Sequence, residues 1–200
     1  MAIRNMRKYN NNNAPSAYEF KGIRKDGSTI FIDVSAIKMA YKGKDVILAF
    51  LRDITDRKLG EAALLESEAK YRSIFENAIE GIFQTTPEGR YLGINPAFAK
   101  MFGYGSPEEM IAHVTDIGGQ LYVNPADRRR LREMLSGTGY IEGFETEVRR
   151  KDGTTFWISI NAYCVRDGDG NLLYFEGTNT DITDRKQAQD ALRKSEYALH

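Results

Sequence analysis

Between residues 142 and 150 apolar and polar side chains alternate, Phe144, Thr146 and Val148 against Glu145, Glu147 and Arg149. A period of two predicts a half-buried β-strand. The same pattern sets Phe156, Ile158, Ile160 and Ala162 against Thr155, Trp157, Ser159 and Asn161 over 154–166, and a further strand is expected over 172–182 after the turn 167–171. Upstream, GIFQTTPEGRYLGIN carries two short β-rich runs around Pro87-Glu88-Gly89, a hairpin signal. Three helix starts lie in between. Asn95-Pro96 places an N-cap and a first-turn proline before Ala97–Phe102, which Gly103 should stop. Ser106-Pro107-Glu108-Glu109 has the form of a capping box. Asn124-Pro125 opens a helix to about Ser136, expected to end at Gly137. Residues 56–77 are rich in Glu, Lys, Ala and Leu, contain no proline, and place Leu64, Tyr71 and Ile74 on one stripe, so they read as a helix. Its weak point is Gly60, at about 1 kcal/mol relative to alanine. The α+β arrangement that satisfies this order is a five-stranded antiparallel sheet with helices on one face.

An internal repeat organises the chain. Arg24-Lys25-Asp26-Gly27 returns as Arg150-Lys151-Asp152-Gly153, 126 positions later. Asp53-Ile54-Thr55-Asp56-Arg57-Lys58 returns unchanged as Asp181-Ile182-Thr183-Asp184-Arg185-Lys186, and Ser67-Glu68 as Ser195-Glu196, both 128 positions later. The extra two residues fall where YKGKD faces RDGDGN, a turn that tolerates length change. A period this long indicates duplicated domains, because solenoid repeats run about 20–50 residues. Residues 73–139 have no counterpart before residue 18, so the first copy is incomplete. The expected organisation is 1–55, the C-terminal half of a truncated domain with three strands; 56–77, a linker helix; 78–183, a complete domain; and 184–200, the start of a signalling helix. Asn10–Asn13 with Ala14-Pro15-Ser16 reads as a polar loop, and Ala2–Tyr9 as the end of a helix. Inward positions of the three-stranded remnant, Phe20, Ile32, Val34, Ala36, Ile47 and Leu51, are apolar and call for cover.

Composition narrows the function. The chain is 42% hydrophobic and 28% charged, with 28 basic and 28 acidic residues. Zero net charge argues against a nucleic-acid partner, which needs a concentrated basic field. The densest basic cluster, Arg128-Arg129-Arg130 with Arg132, is flanked by Asp127 and Glu133 and reads as a solvated helix face. The single cysteine, Cys164, excludes an internal disulfide and a Cys-based zinc site. No run approaches the roughly 18 apolar residues of a membrane span, so a cytoplasmic location is expected. No Ser-His-Asp constellation or paired-carboxylate signature is present, and His113 and His200 lack the setting of a phosphoacceptor helix, so no enzyme activity is expected.

In order and spacing, Glu80-Gly81-Ile82-Phe83, Gly93-Ile94-Asn95-Pro96-Ala97-Phe98 through Phe102-Gly103-Tyr104, Arg150-Lys151-Asp152-Gly153-Thr154 and Asp181-Ile182-Thr183 resemble the PAS family of sensory domains. The resemblance covers about 60–200 and, in part, 18–70. It implies an input or relay module of a histidine kinase or cyclic-dinucleotide synthase, with the output domain in a longer parent chain. The alternative is a structural dimerisation module with a filled core and no ligand.

The resemblance also implies a pocket between the helices and the inner sheet face. A haem form needs an axial ligand, usually histidine, on the long helix; the helix from Pro125 has none, and Met134 reads as core. A covalent flavin form needs a cysteine where Thr115 stands, and polar anchors where Val148 and Ile158 stand; only Asn179 remains. Haem and covalent flavin are therefore not expected, no cofactor is predicted, and an unidentified small molecule is left as the candidate ligand. The expected lining is Phe144, Val148, Ile158, Ile160, Phe175 and Asn179. A buried amide needs partners, so space beside Asn179 separates a sensor from a filled core.

Alternation places Trp157 and Tyr163 on the outer sheet face, where they suggest docking of a flanking helix or second subunit. Ala188, Ala191, Leu192, Ser195 and Leu199 step by three and four, a coiled-coil-like stripe that suggests a homodimer. Signal transmission is expected at the strand-to-helix junctions, Asp181, Ile182 and Thr183 in the second copy and Asp53, Ile54 and Thr55 in the first.

Overall fold

The structure is a computed structural model that describes residues 17–198, with side chains through residue 195. The expected N-terminal loop and helix end, and Leu199, lie outside the described residues. These residues form two compact units that divide between Lys70 and Tyr71.

The first unit is an antiparallel meander of β1 (Ala17–Ile23), β2 (Thr29–Tyr41) and β3 (Lys44–Asp53). Its register sets Phe20 opposite Ile32, Val34 opposite Leu51 and Ala36 opposite Ala49. Cross-strand pairs share a face, so the expected inward set does lie together. Cover is uneven: Val34 and Ala36 are buried, whereas Ile47 and Leu51 are 48% and 64% exposed. Strand β3 leads into α1 (Thr55–Asn77), whose apolar stripe of Leu64, Tyr71 and Ile74 remains exposed.

The second unit contains β4 (Gly81–Thr85), β5 (Tyr91–Ile94), α2 (Pro96–Met101), α3 (Pro107–His113), α4 (Ile117–Leu121), α5 (Pro125–Thr138), β6 (Tyr140–Arg149), β7 (Thr155–Arg166), β8 (Leu172–Asp181) and α6 (Thr183–Ala198). The five strands run in the order β5-β4-β8-β7-β6, all antiparallel. Pairing of Gly81 with Asn179 and of Phe83 with Gly177 joins the first strand of this unit to the last. Glycine at 177 is required by the closeness of β7: a Cβ there would fall 2.2 Å from the Asn161 carbonyl oxygen.

An aromatic run forms the spine of the core, with centroid separations of 5.7 Å for Phe83–Phe98, 4.9 Å for Phe98–Phe102 and 5.2 Å for Phe102–Phe156. Tilted, stacked and edge contacts of this kind add to the burial of large apolar area. Asn95, fully buried, ties the spine to both strands and helix. Its Oδ1 accepts from the N–H groups of Ile82 and Phe98, both at 2.9 Å, and its Nδ2 donates to the carbonyls of Phe75 and Glu80 at 3.1 and 2.9 Å.

Four local expectations change. Helix α5 does not stop at Gly137 but continues to Thr138, because Gly139 takes the left-handed conformation (φ 80°) and donates its N–H to Leu135 O at 2.9 Å. The short helix α4 was hidden in the sequence by Gly118-Gly119; Asp116 caps it, accepting from Gly118 N–H at 3.1 Å, and Ile117 and Leu121 bury it. At α3 the capping box is displaced by one residue: Ser106 caps Glu109 N–H, but the Glu109 carboxylate accepts from Gly105 N–H. Met134 is 39% exposed rather than core, because α5 turns Leu131 and Leu135 inward instead.

Candidate functional site

The helices and the inner sheet face enclose a cavity of about 20 Å³, room for one or two water-sized groups. Phe98 of α2 and Phe102 at its C-cap, Leu121 of α4, and Val148, Ile158 and Ile160 of the sheet supply most of its apolar wall. Three polar side chains from distant segments break that wall: Thr85 on β4, Arg128 on α5 and Asn179 on β8. Thr85 and Asn179 are 2% and 3% exposed. The Thr85 hydroxyl oxygen, Arg128 Nη2 and Asn179 Oδ1 are all buried, and none has a hydrogen-bond partner among the described residues. A buried polar atom left unpaired costs about 1–3 kcal/mol. Tyr91 and Tyr122 complete the polar rim. Burial raises both phenols above the ordinary tyrosine range, and Arg128 offsets this in part, through its charge at both and through a side-chain hydrogen bond at Tyr122 as well. The Arg128 guanidinium also lies 5.9 Å from the Tyr122 ring centre. Among the described residues no group of three His, Cys, Asp or Glu side chains is disposed to hold a metal ion.

A second constellation sits where β8 becomes α6. Asp181 Oδ1 accepts from both the N–H and the hydroxyl of Thr183, at 2.9 and 2.6 Å. The Thr183 oxygen accepts from Trp157 N–H at 3.1 Å, and Ile182 N–H donates to the Trp157 carbonyl at 2.9 Å. The other Asp181 oxygen accepts from Arg150 at 2.9 Å. Arg150 also donates to the Met101 carbonyl at 3.0 Å and stacks 3.8 Å over Phe156. Finally Glu145 on β6 binds Arg185 and Lys186 at 2.6 and 2.5 Å, and these charge-assisted bonds, Lys186 first, hold its carboxyl below the usual range.

The first unit repeats this latch. Asp53 accepts from Thr55 N–H and hydroxyl at 2.9 and 2.5 Å, Phe31 N–H donates to the Thr55 oxygen at 3.0 Å, and Arg24 binds Asp53 at 2.6 Å. Glu19 takes Arg57 and Lys58 at 2.9 and 2.6 Å. The hydroxyl and N–H of Thr55 lower the Asp53 carboxyl most, with Arg24 adding to them.

Of the expected pocket residues, Val148, Ile158, Ile160 and Asn179 line the cavity; Phe175 is buried in the core and Phe144 half-buried at its edge, and neither reaches the cavity. Phe144 is displaced by an irregularity in β6 between Ile141 and Phe144, and lies 5.9 Å from the Arg130 guanidinium. Thr115 is exposed and lines no part of the cavity. Trp157 lies on the outer face but is half-covered, with the Lys186 ammonium 4.7 Å from its ring centre. Tyr163 is more open and donates its hydroxyl to Glu176 at 2.7 Å. Ala188 and Leu192 are exposed on α6. Asp181, Ile182 and Thr183, and Asp53, Ile54 and Thr55, all take part in the two latches.

Sequence reasoning missed Thr85, Arg128, Glu19 and Glu145. The two glutamates carried a signal, since each stands five residues before the repeated arginine, Arg24 or Arg150. Thr85 and Arg128 carried none, because only the packing of α5 on the sheet brings them together.

Comparison with known proteins gives this geometry its setting. A family described as the PAS fold matches residues 69–182, and one described as a PAS domain matches residues 1–56. Sensor histidine kinase TmoS of Ectopseudomonas mendocina is 26% identical over 81% of this chain and 17% of its own length. Sporulation kinase E of Bacillus subtilis is 36% identical over 76% of this chain and 20% of its own length. The chain thus spans about a fifth of the length of these relatives. Among solved structures, a PAS domain from Colwellia psychrerythraea superposes with a TM-score of 0.50 at 24% identity, over 60% of this chain and 98% of that one.

Proposed function

This chain belongs to the PAS family, and we propose that it acts as the non-catalytic relay module of a histidine-kinase-type signalling protein, passing changes around its interior cavity to the helix that leaves the sheet. It is a sensory signalling module; the kinase output would lie in a longer parent chain. The observation that carries the reading is the latch at the β8–α6 junction, whose Asp–Thr, Arg–Asp and Glu–Arg/Lys contacts recur at the β3–α1 junction.

The latch is connected to the cavity by short steps. Phe102 lines the cavity and accepts the Lys151 N–H at its carbonyl at 2.9 Å. Its ring meets Phe156 edge-on, Arg150 stacks on Phe156, and Arg150 holds both the Met101 carbonyl and Asp181. A displacement of α2 by an occupant of the cavity would reach Asp181 through one guanidinium. The ion pairs are partly exposed, and such pairs are each worth about 0–1 kcal/mol. A latch of a few such contacts is weak enough for a coupling free energy of about 1–3 kcal/mol to shift. Released or rotated, α6 would carry the change into a parallel homodimer through Ala188 and Leu192.

The test uses the full-length parent kinase. Asp181→Asn, Thr183→Val and Arg150→Met are expected to uncouple autophosphorylation from stimulus while the second unit stays folded. Output control equal to the unmodified protein in all three would sink the relay.

A further inference from the structure

The sheet of the first unit is apolar on its outer face as well, the side turned away from the inward set. Register places Ser35 opposite Phe50, Ile37 opposite Leu48 and Met39 opposite Val46, so Ile37, Met39, Val46, Leu48 and Phe50 form one band on that face. Four of the five stand between 41% (Met39) and 61% (Phe50) exposed. The repeat shows that the fold does not require such a band. At the matching pairs of the second unit, Asn161 with Thr178, Tyr163 with Glu176 and Val165 with Tyr174, the face carries an amide, a carboxylate and hydroxyls. Single apolar side chains on a surface are ordinary, whereas a contiguous patch marks an interaction site.

The charges around the band select its occupant. The first turn of α1 is tied to β1, where Glu19 takes Arg57 and Lys58, and the band on β2 and β3 stays open. At one end of the band Asp33 stands opposite Arg52, and among the described residues neither side chain has an ion pair or hydrogen bond. At the other end Tyr41 stands opposite Lys44. Ile37 and Leu48 lie midway, four residues from each of these end pairs. Such a patch is complementary to itself, as a twofold contact requires. A twofold axis along the strands, between β2 and β3, lays Asp33 over the partner's Arg52, Ile37 over the partner's Leu48 and Tyr41 over the partner's Lys44. An axis across the strands would instead set Arg52 against the partner's Lys44, and like charges so placed oppose docking.

We propose that the outer face of the first unit binds a second copy of this chain, sheet against sheet, about a twofold axis that runs along the strands. Packed sheets stand about 10 Å apart, a gap that facing side chains of the length of arginine cross. The same axis brings both β3–α1 junctions to one end, as the parallel helices of the homodimer suggested above need. The face measures about 30 Å along the strands and about 14 Å across the three of them. That is about half of the roughly 800 Å² per partner usual for a stable interface, so face and helices hold the dimer together.

The proposal rests on the homodimer within the relay reading, and sedimentation of the whole chain tests it separately from kinase output. Ile37→Tyr, Leu48→Glu and Phe50→Thr together copy the residues at the matching places of the second unit, a face on which the same strands already fold. The unmodified chain should sediment as a dimer at micromolar concentration. The triple variant should weaken that dimer roughly tenfold or more, with unchanged far-ultraviolet dichroism. Asp33→Arg and Arg52→Asp each oppose like charges across the axis, so each alone should weaken the dimer at low salt. An equimolar mixture of these two variants should restore it, because every end charge then meets its opposite on the partner. Pairing within one sheet cannot produce that rescue, since both charges of each variant chain keep one sign. A monomeric unmodified chain overturns the proposal, and so does a mixture that associates no better than its components. If Leu192→Glu dissolves the dimer while the triple variant leaves it intact, the seam belongs to α6 alone and the proposal fails while the relay stands. If the latch variants keep normal output control in a chain that dimerises through this face, the relay fails and the face stands.

Discussion

Lys186 lies with its ammonium 4.7 Å above the ring of Trp157 while it binds Glu145 at 2.5 Å, so the first turn of α6 is pinned to the outer face of the sheet by one side chain. Trp157 is the only tryptophan in the chain, and its emission therefore reports whether α6 is docked.

Acid should loosen this docking. The Glu145 carboxyl is held below its ordinary range by Lys186 and then Arg185, and a carboxylate with a depressed folded pKa stabilises above its unfolded value of about 4.3. That contribution is lost as pH falls through the folded value, so α6 stays docked at neutral pH and loosens in acid, below the ordinary carboxylate range. Tryptophan emission followed from neutral pH downwards should change in that range. In Glu145→Gln the changed emission should already be present at neutral pH, with a smaller acid response.

Asn95→Ala should cost about 3 kcal/mol or more in chemical denaturation of the second unit. An ordinary N-cap is worth about 1 kcal/mol, but this side chain makes four hydrogen bonds and its loss orphans buried backbone groups of β4 and α2. Asn95→Asp, which keeps the acceptor bonds but sets a buried carboxylate oxygen against the carbonyls of Phe75 and Glu80, should cost at least as much.

Gly177→Ala should destabilise by about 1–3 kcal/mol, the usual range for overpacking, because the new methyl would fall 2.2 Å from a backbone oxygen and 2.9 Å from Ala162 Cα. Neither is the end of a flexible side chain. A thermal midpoint equal to that of the unmodified protein would contradict the packing described for β7 and β8.

Tyr163 should titrate late. Its hydrogen bond to Glu176 is the chief reason that its phenol is pushed up to about 12. With a folded value above the unfolded one of about 10, the contact stabilises below pH 10 and is lost as pH rises through about 12. Phenolate absorbance should include a tyrosine with a midpoint near 12, and Glu176→Gln should lower that midpoint.

The exposed stripe on α6 should govern self-association if it forms the dimer seam. Leu192→Glu should shift sedimentation of the whole chain towards monomer without changing its far-ultraviolet dichroism, and an unchanged sedimentation profile would remove α6 from the interface.

The strands of both units, the helix over 56–77 and the two junctions were legible in the sequence because each is written in local terms: alternation of period two, proline and asparagine at helix starts, and a repeat that marks its own boundaries. Four of the six residues expected around the pocket border the cavity for a related reason. Alternation assigns a residue to a face of the sheet, which placed Val148, Ile158, Ile160 and Asn179 inward. It does not say where along that face the helices leave space, so Phe144 and Phe175 were included although neither borders the cavity. Glycine pairs misled where their role was set by neighbours: Gly118-Gly119 concealed α4, and Gly139 rather than Gly137 ended α5.

By itself, then, the sequence determined the order of elements, the duplication and the Asp-Ile-Thr junctions, since these depend on residues close together along the chain. Only the tertiary structure decided that Thr85, Arg128 and Asn179 share one cavity, and that Glu145 holds α6 and Arg150 the end of β8 across 40 and 31 residues of chain respectively. Those meetings come from pairing the first and last strands of the sheet and from laying α5 across it. No periodicity records such contacts, because the packing energy that selects them belongs to surfaces formed only when the distant segments are already folded together.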